Sequence, residues 1–153
     1  PAFYLPALLA SENDIKRFSM TGQRRDLNRE KFKSENLLSV LNNKESNANK
    51  NLKFLCNAMD VRSESKQFHP RSEMKCLSKG RSDIVVIKRG KGPESVFAIH
   101  NMTENKINYQ LNDNDLPKII DNDFNTHDFL TSTKYNCKNI SLDPFQVIWL
   151  SAL

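Results

Sequence analysis

The hydrophobic pattern of the chain changes its period at Pro70, and this change limits the folds that the chain can adopt. Between Lys50 and Pro70, apolar residues recur at the i, i+3, i+4 and i+7 spacing of one helical face. Beyond Pro70, short runs rich in β-branched and aromatic residues are separated by turn residues, as in antiparallel sheets. We therefore expect a region at 1–70 that contains helices and a β-domain at 71–153. The residues on the helical face are Leu52, Leu55, Cys56 and Met59.

The β-domain is expected to contain seven short strands with turn residues between or after them. The turn residues lie at Gly90–Pro93 and Asn112–Asp115. Phe145 and Trp149 are expected to anchor its core, because aromatic side chains bury a large apolar area. Stacking against a carbohydrate is an alternative role for Trp149. The predicted strands are Met74–Leu77, Ile84–Arg89, Val96–His100, Ile107–Leu111, Phe129–Leu130, Asn139–Leu142 and Phe145–Leu150.

The first region begins with a nearly continuous apolar run, Ala2–Leu9, which indicates a strand buried on both faces of a parallel sheet. Pro6 cannot donate to a sheet ladder, so we expect the strand to end just before it. Ser11–Arg29 is then expected to be a loop, and its length favours a functional role over simple connection. A short helix capped by Ser34 and a polar loop at Asn42–Asn49 are expected to follow.

The end of this loop, Thr21–Arg29, concentrates hydrogen-bonding groups. Its nine residues include three arginines, an aspartate and an asparagine. Such a set is suited to gripping a polyhydroxylated or anionic ligand, because guanidinium groups offer donors in a fixed geometry. A solvated basic loop without a ligand is the alternative interpretation.

Several motifs resemble those of a known enzyme family. Pro1-Ala2-Phe3-Tyr4, Asn13-Asp14, Thr21-Gly22 and Arg25-Asp26-Leu27-Asn28-Arg29 are similar to the end of the catalytic barrel in sucrose-phosphorylase-type enzymes. These enzymes belong to the α-amylase clan (glycoside hydrolase family 13), in a branch that includes glucosylglycerate phosphorylases. Residues 97–103, 127–131 and 140–150 resemble segments of the C-terminal β-domain of that branch. The resemblance implies the last β/α unit of a (β/α)8 barrel at 1–70, followed by a small antiparallel C-terminal β-domain at 71–153.

The resemblance also implies a function and a set of binding residues. It suggests the C-terminal part of a retaining α-glucosyl-transferring enzyme that acts on sucrose or a related α-glucoside, by phosphorolysis to glucose 1-phosphate or by hydrolysis. Arg25 would reach the glucose subsite, with Arg24 as a rival, while Asp26, Asn28 and Arg29 would support the loop. The catalytic carboxylates would lie upstream of Pro1, so none is expected in this fragment, which is expected to be inactive alone. The implied partners are a sugar substrate and inorganic phosphate, and no cofactor is implied.

Charge and composition indicate which other kinds of site are not expected in this chain. The net charge is +5, with 19 basic and 10 acidic residues at 1–92, against 4 and 8 at 93–153. The basic residues lack interleaved aromatic residues, so a solvated basic face is expected rather than a nucleic-acid site. Three cysteines without a C-x-x-C pair, and three histidines far apart, predict neither disulfides nor a metal site and favour a cytoplasmic location. No apolar run is long enough to span a membrane.

A second class of function is also compatible with the sequence: the β-domain could serve as a free-standing binding or interaction module without catalysis. The two hypotheses differ in what they expect upstream of Pro1, because only the enzyme hypothesis requires seven further β/α units.

Overall fold

The computed structural model describes residues 2–28, 31–116 and 125–151. The chain divides into two compact units, an N-terminal unit at Pro1–Met59 and a C-terminal unit at Asp60–Leu153. The expected boundary after residue 70 lies further along the chain than this division. The difference arises because one long helix, Asn47–Glu64, runs through the boundary between the two units.

The N-terminal unit is helical throughout its regular elements. Its described residues form four α-helices: α1 (Leu5–Leu8), α2 (Ile15–Thr21), α3 (Ser34–Asn42) and the beginning of α4 (Asn47–Glu64). A 3₁₀ helix at Arg24–Asp26 follows α2.

The prediction of a strand that begins at Ala2 and ends just before Pro6 is wrong. Leu5–Leu8 is helical, and the Leu8 N–H donates to the Tyr4 carbonyl at 3.0 Å. Pro6 occupies the first turn of this helix, where its missing N–H costs nothing. The strand interpretation also required neighbouring strands, and none of the described residues of the N-terminal unit forms one.

The prediction of an irregular loop at Ser11–Arg29 is also wrong in its local structure. Asp14 caps α2 by accepting a hydrogen bond from the Arg17 N–H at 2.9 Å. Gly22 ends α2 in the left-handed conformation, with φ of 64°, and its N–H donates to the Phe18 carbonyl. Asp14 and Gly22 are residue types that commonly cap helices, but the polar composition of the stretch favoured a loop over the helix between them.

The helix predicted near Ser34 is confirmed as α3, although Ser34 is its first helical residue and no side chain caps it. The polar loop predicted at Asn42–Asn49 is shorter than expected, because α4 begins at Asn47. The hydroxyl oxygen of Ser46 accepts a hydrogen bond from the Asn49 N–H at 3.1 Å. This bond stabilises the first turn of α4. The apolar face predicted from Lys50 onwards therefore lies on an existing helix.

The part of the C-terminal unit that the structure describes contains three antiparallel sheets. The largest has the strand order β1-β2-β3-β8, and two-stranded sheets pair β4 with β7 and β5 with β6. Two 3₁₀ helices, at Lys66–Phe68 and Gly92–Glu94, lie in this unit. The strands are β1 (Met74–Cys76), β2 (Ile84–Arg89), β3 (Val96–Asn101), β4 (Ile107–Tyr109), β5 (Asn125–His127), β6 (Lys134–Asn136), β7 (Ile140–Leu142) and β8 (Val147–Ser151).

Most of the predicted strands are confirmed, and β2 has the predicted bounds. The strand predicted at Phe129–Leu130 is wrong, because those residues form the turn that follows β5. Strands β5 and β6 were not predicted, since the sequences Asn125–His127 and Lys134–Asn136 are mainly polar. Strand β6 is also largely exposed. Its pairing with β5, rather than its own composition, determines its conformation.

The four-stranded sheet buries one face in the main core of the C-terminal unit. Val86, Ile99 and Ile148 lie side by side on adjacent strands of this face and are fully buried. Phe145 does not belong to this core: it is 66% exposed and precedes β8 in a left-handed conformation, so its prediction as a core anchor is wrong. Trp149 lies on the opposite face of the sheet, as its alternation with Ile148 requires.

Candidate functional site

The segment that carries the family motif is folded around Asp26. This residue ends the 3₁₀ helix at Arg24–Asp26 and is only 6% exposed. Its Oδ1 lies 3.4 Å from the Nε of Arg17, which projects from α2. A hydrogen bond from the Thr21 side chain, and then the charges of Arg17 and Arg25, hold the pKa of Asp26 below its usual range against the opposing effect of burial. Asp26 is therefore an ionised, buried anchor.

Arg25 is exposed beside this anchor. Its Nε donates to Oε1 of Gln23 at 2.8 Å, which uses one of the five N–H donors of the guanidinium. Arg24 is exposed as well. Both arginines of the 3₁₀ turn therefore lie at the surface of the N-terminal unit, whereas Asp26 is buried beneath the turn.

The two other predicted site residues are Asn28 and Arg29. Asn28 is exposed two residues beyond Asp26, and Arg29 lies outside the described residues. The backbone just before Asn28 is fixed, because the Asp14 N–H donates to the Leu27 carbonyl at 2.7 Å. This bond ties the end of the motif to the residue that caps α2.

Arg17 is the residue that sequence reasoning missed. It lies in α2 and reaches Asp26 across nine positions of the chain. The available signal was Asp14 as a helix cap, which would have placed Arg17 in the first turn of a helix directly before the motif. Because Ser11–Arg29 was predicted to be a loop, the helix that carries Arg17 was not expected, and neither was its contact with Asp26.

A cavity of about 370 Å³ is present elsewhere in the N-terminal unit. Leu9, Ala10 and Phe32 contribute to its apolar wall, and Lys31 and Lys33 also line it. Ala10 adopts a left-handed conformation, with φ of 49°, at the point where the chain leaves α1. Arg25 and Asp26 do not line this cavity, so within the N-terminal unit the motif is a surface feature.

The described residues contain no group of three or more His, Cys, Asp and Glu side chains that could hold a metal ion. Cys56 and Cys76 are exposed free thiols, whereas Cys137 is a buried free thiol. Within the same ranges, no helix has the length and hydropathy needed to cross a membrane.

The sequence was compared with known proteins. A glucosylglycerate phosphorylase from Allomeiothermus silvanus is 32% identical to this chain over 104 residues, which is 68% of the chain. The match covers 18% of that enzyme, so the chain spans less than a fifth of the length of the curated relative it matches. No family model matches the sequence.

Three solved structures illustrate the similarity in fold. AmyP, solved in complex with maltose, has a TM-score of 0.58 at 17% identity, over 72% of this chain and 22% of that one. An Anoxybacillus α-amylase has a TM-score of 0.52 at 14% identity, over 71% and 24%. Trehalose-6-phosphate hydrolase from Bacillus licheniformis has a TM-score of 0.50 at 18% identity, over 74% and 20%. At these identities the likeness concerns the fold alone.

The match by sequence defines the class of the chain. It is homologous to the C-terminal part of enzymes of glycoside hydrolase family 13, the α-amylase family, as its motifs predicted. Within that family, the matched relative is a glucosylglycerate phosphorylase, and the motifs resemble the branch that includes such enzymes.

Proposed function

We propose that the chain is part of a retaining enzyme that transfers glucose from an α-glucoside, and that its N-terminal unit carries one wall of the glucose subsite. Residues 1–70 would form the end of a (β/α)8 barrel, and residues 71–153 an accessory β-domain. The observation that carries the proposal is the 32% identity to a glucosylglycerate phosphorylase over 68% of the chain. Sucrose or a related α-glucoside would be the donor, and inorganic phosphate the acceptor.

The distribution of exposed apolar side chains supports the barrel assignment. Among the described residues, the exposed large hydrophobic side chains are concentrated in the N-terminal unit. Buried hydrophobic residues are few there, namely Leu9 and Ala48. A unit that exposes this much apolar surface is expected to be covered by further protein, as the end of a barrel would be. The exposed residues are Phe3, Tyr4, Leu5, Ile15, Met20, Leu38, Val40 and Phe54.

The arrangement around Asp26 supports a role in sugar binding. A buried, ionised carboxylate beside Arg17 and Arg25 fixes the turn without a bound ligand. Arg25 is then available at the surface to bridge a sugar hydroxyl and a carboxylate supplied by the rest of the barrel. Asn28 and Arg29 would support the same turn from its C-terminal side.

The chemical step would need two carboxylates about 5 Å apart, one as nucleophile and one as acid and base. None of the acidic residues near the motif takes either role in the proposal, since Asp14 caps a helix and Asp26 is buried against Arg17. The 153-residue chain alone is therefore proposed to be inactive.

The test is to express a longer protein that contains this chain together with seven preceding β/α units. It is assayed with sucrose and with glucosylglycerate, each with and without phosphate. The proposal expects glucose 1-phosphate to form from one of these glucosides only when phosphate is present. The 153-residue chain serves as the control and should release neither glucose nor glucose 1-phosphate. Activity of this short chain, or the absence of barrel units upstream of it, would instead favour a different function such as a binding module.

A further inference from the structure

The C-terminal unit carries a groove on the outer face of its four-stranded sheet. Its volume is about 320 Å³, near the lower end of the range for small-molecule sites. The floor is a row of side chains on adjacent strands, with Ile87 paired to Ala98 and Ala98 paired to Trp149. Phe68 packs against Trp149, with 4.6 Å between the ring centroids. The groove therefore combines an apolar floor with an aromatic pair.

The polar groups around this floor are cationic or neutral. The Arg62 guanidinium lies 5.9 Å from the centroid of the Phe68 ring. Arg89 is held in place by hydrogen bonds from its Nε to the Gln67 carbonyl at 3.2 Å and from its Nη2 to the His69 carbonyl at 2.8 Å. No aspartate or glutamate is among the described residues that line the groove. The charge of the groove thus favours an anion.

One further polar group lies in the groove wall. Burial lowers the pKa of His100, so its imidazole is neutral at pH 7 and can both donate and accept a hydrogen bond. The indole Nε1 of Trp149 is enclosed by the protein, so Trp149 contributes its ring and not its N–H to the groove.

We propose that this groove binds an anionic sugar, a sugar phosphate or a sugar acid, with the ring against Trp149, which Phe68 supports, and the anion facing Arg62 and Arg89. An apolar hydrocarbon ligand would leave the two guanidinium groups uncompensated. A bare inorganic anion would leave the aromatic floor uncovered. A ligand with one anionic end and a carbon-bearing ring face matches both parts of the groove.

Trp149 is the single tryptophan of the chain, so its fluorescence reports directly on this groove. The 153-residue chain is titrated with glucose 1-phosphate, gluconate, glucose and inorganic phosphate. A saturable fluorescence change is expected with glucose 1-phosphate, gluconate or both, and which of them binds distinguishes a phosphate from a carboxylate ligand. Glucose and inorganic phosphate should each bind at least about tenfold more weakly, because glucose lacks the anionic group and inorganic phosphate lacks the sugar ring.

Arg62→Ala should weaken binding of the anionic sugar by about tenfold or more, because one charged hydrogen bond is lost. Arg71→Ala is the matched control, since Arg71 is exposed and does not line the groove; it should change the Kd less than about twofold. Urea unfolding of both variants, followed by the same fluorescence, checks that they fold.

Several outcomes would overturn the proposal: no saturable change with any probe, equal binding of glucose or phosphate, or equal effects of the two variants. If Arg62→Ala does not fold, the ligand preference of the unmodified chain decides. The experiment measures binding and not turnover, so its result is separate from that of the activity assay.

Discussion

The buried carboxylate of Asp128 accepts a hydrogen bond from the backbone N–H of Trp149 at 2.7 Å. The same carboxylate accepts bonds from the Leu130 N–H at 3.2 Å and from the Thr131 hydroxyl at 2.7 Å. One side chain thus fastens the turn after β5 to strand β8, at the position where Asp128 and Leu150 form an isolated bridge. A buried carboxylate is stable here because its hydrogen-bonding capacity is used.

Replacing this carboxylate should destabilise the C-terminal unit. Asp128→Ala leaves the N–H groups of Trp149 and Leu130 without their acceptor, and we expect the free energy of unfolding to fall by about 3 kcal/mol. Asp128→Asn should cost less, because one amide oxygen can still accept from Trp149. Urea unfolding followed by Trp149 fluorescence measures both.

Asp143→Ala is the control for this series. Asp143 is an exposed carboxylate whose ion pair with Lys106 spans 3.2 Å at the surface. Its removal should change the free energy of unfolding by less than about 0.5 kcal/mol. Equal losses for Asp128→Ala and Asp143→Ala would show that the buried hydrogen bonds do not stabilise the unit as described.

The cysteines should differ sharply in reactivity. Burial raises the pKa of Cys137 to about 11, so only about one thiol in a thousand is ionised at pH 8. Cys56 and Cys76 are exposed. A thiol reagent such as dithionitrobenzoate should therefore label two cysteines of the folded chain rapidly, and the third only in denaturant. Rapid labelling of all three at pH 8 would contradict the burial of Cys137.

The same pKa shift has a consequence for stability. The folded state holds the Cys137 proton more tightly than the unfolded state, whose thiol ionises near pH 9. The contribution of this group to stability is therefore full below pH 9 and falls as the pH rises through 11. A Cys137→Ser variant should not show this particular decrease above pH 9.

How far the sequence determined the fold differs between the two units. In the C-terminal unit, the alternation of Ile148 and Leu150 with Val147 and Trp149 identified β8, because this strand buries one face against a core within the unit. Strand β6 could not be predicted, since its conformation depends on pairing with β5. The outer-face groove was equally invisible, because Phe68 and Trp149 lie eighty-one positions apart and meet only through packing.

In the N-terminal unit, the apolar run Ala2–Leu9 predicted a strand where the chain forms none, because hydrophobicity alone does not distinguish a buried strand from a short helix. Pro6 was interpreted as the end of a strand, whereas it lies in the first turn of α1. For the candidate site, Arg25 and Asp26 were predicted from their motif, and their role in binding stays a prediction. Arg17 was missed because its contact with Asp26 depends on a helix that the polar sequence concealed.

Local stability should differ between the units in the same way. In the isolated chain, amides at residues 2–9 should exchange with solvent at nearly free rates, because α1 has a single turn and contains no buried residue. Amides of β3 should be strongly protected, since this strand is paired on both sides and Phe97 and Ile99 are fully buried. Hydrogen exchange measures both regions in one experiment. Strong protection at 2–9 in a monomer would contradict the proposal that this segment needs further protein to fold stably.

The sharpest prediction for the proposed function concerns Arg25. In the longer enzyme, Arg25→Ala should lower kcat/KM for the glucoside by about ten- to several-hundredfold, because the loss of a guanidinium leaves buried acceptors unpaired at a cost of about 1–3 kcal/mol or more. Arg25→Lys should restore little, since an ammonium group cannot reproduce the planar fork.

Arg24→Ala is the matched control for this prediction. Arg24 is a neighbouring exposed arginine in the same 3₁₀ turn, so its removal changes the local charge by the same amount. It should leave kcat/KM nearly unchanged. Parallel measurements of kcat/KM for the two alanine variants separate a specific contact with glucose from a general effect of positive charge. If Arg24→Ala is the damaging change and Arg25→Ala is not, the glucose-binding arginine has been assigned one position too late in the chain.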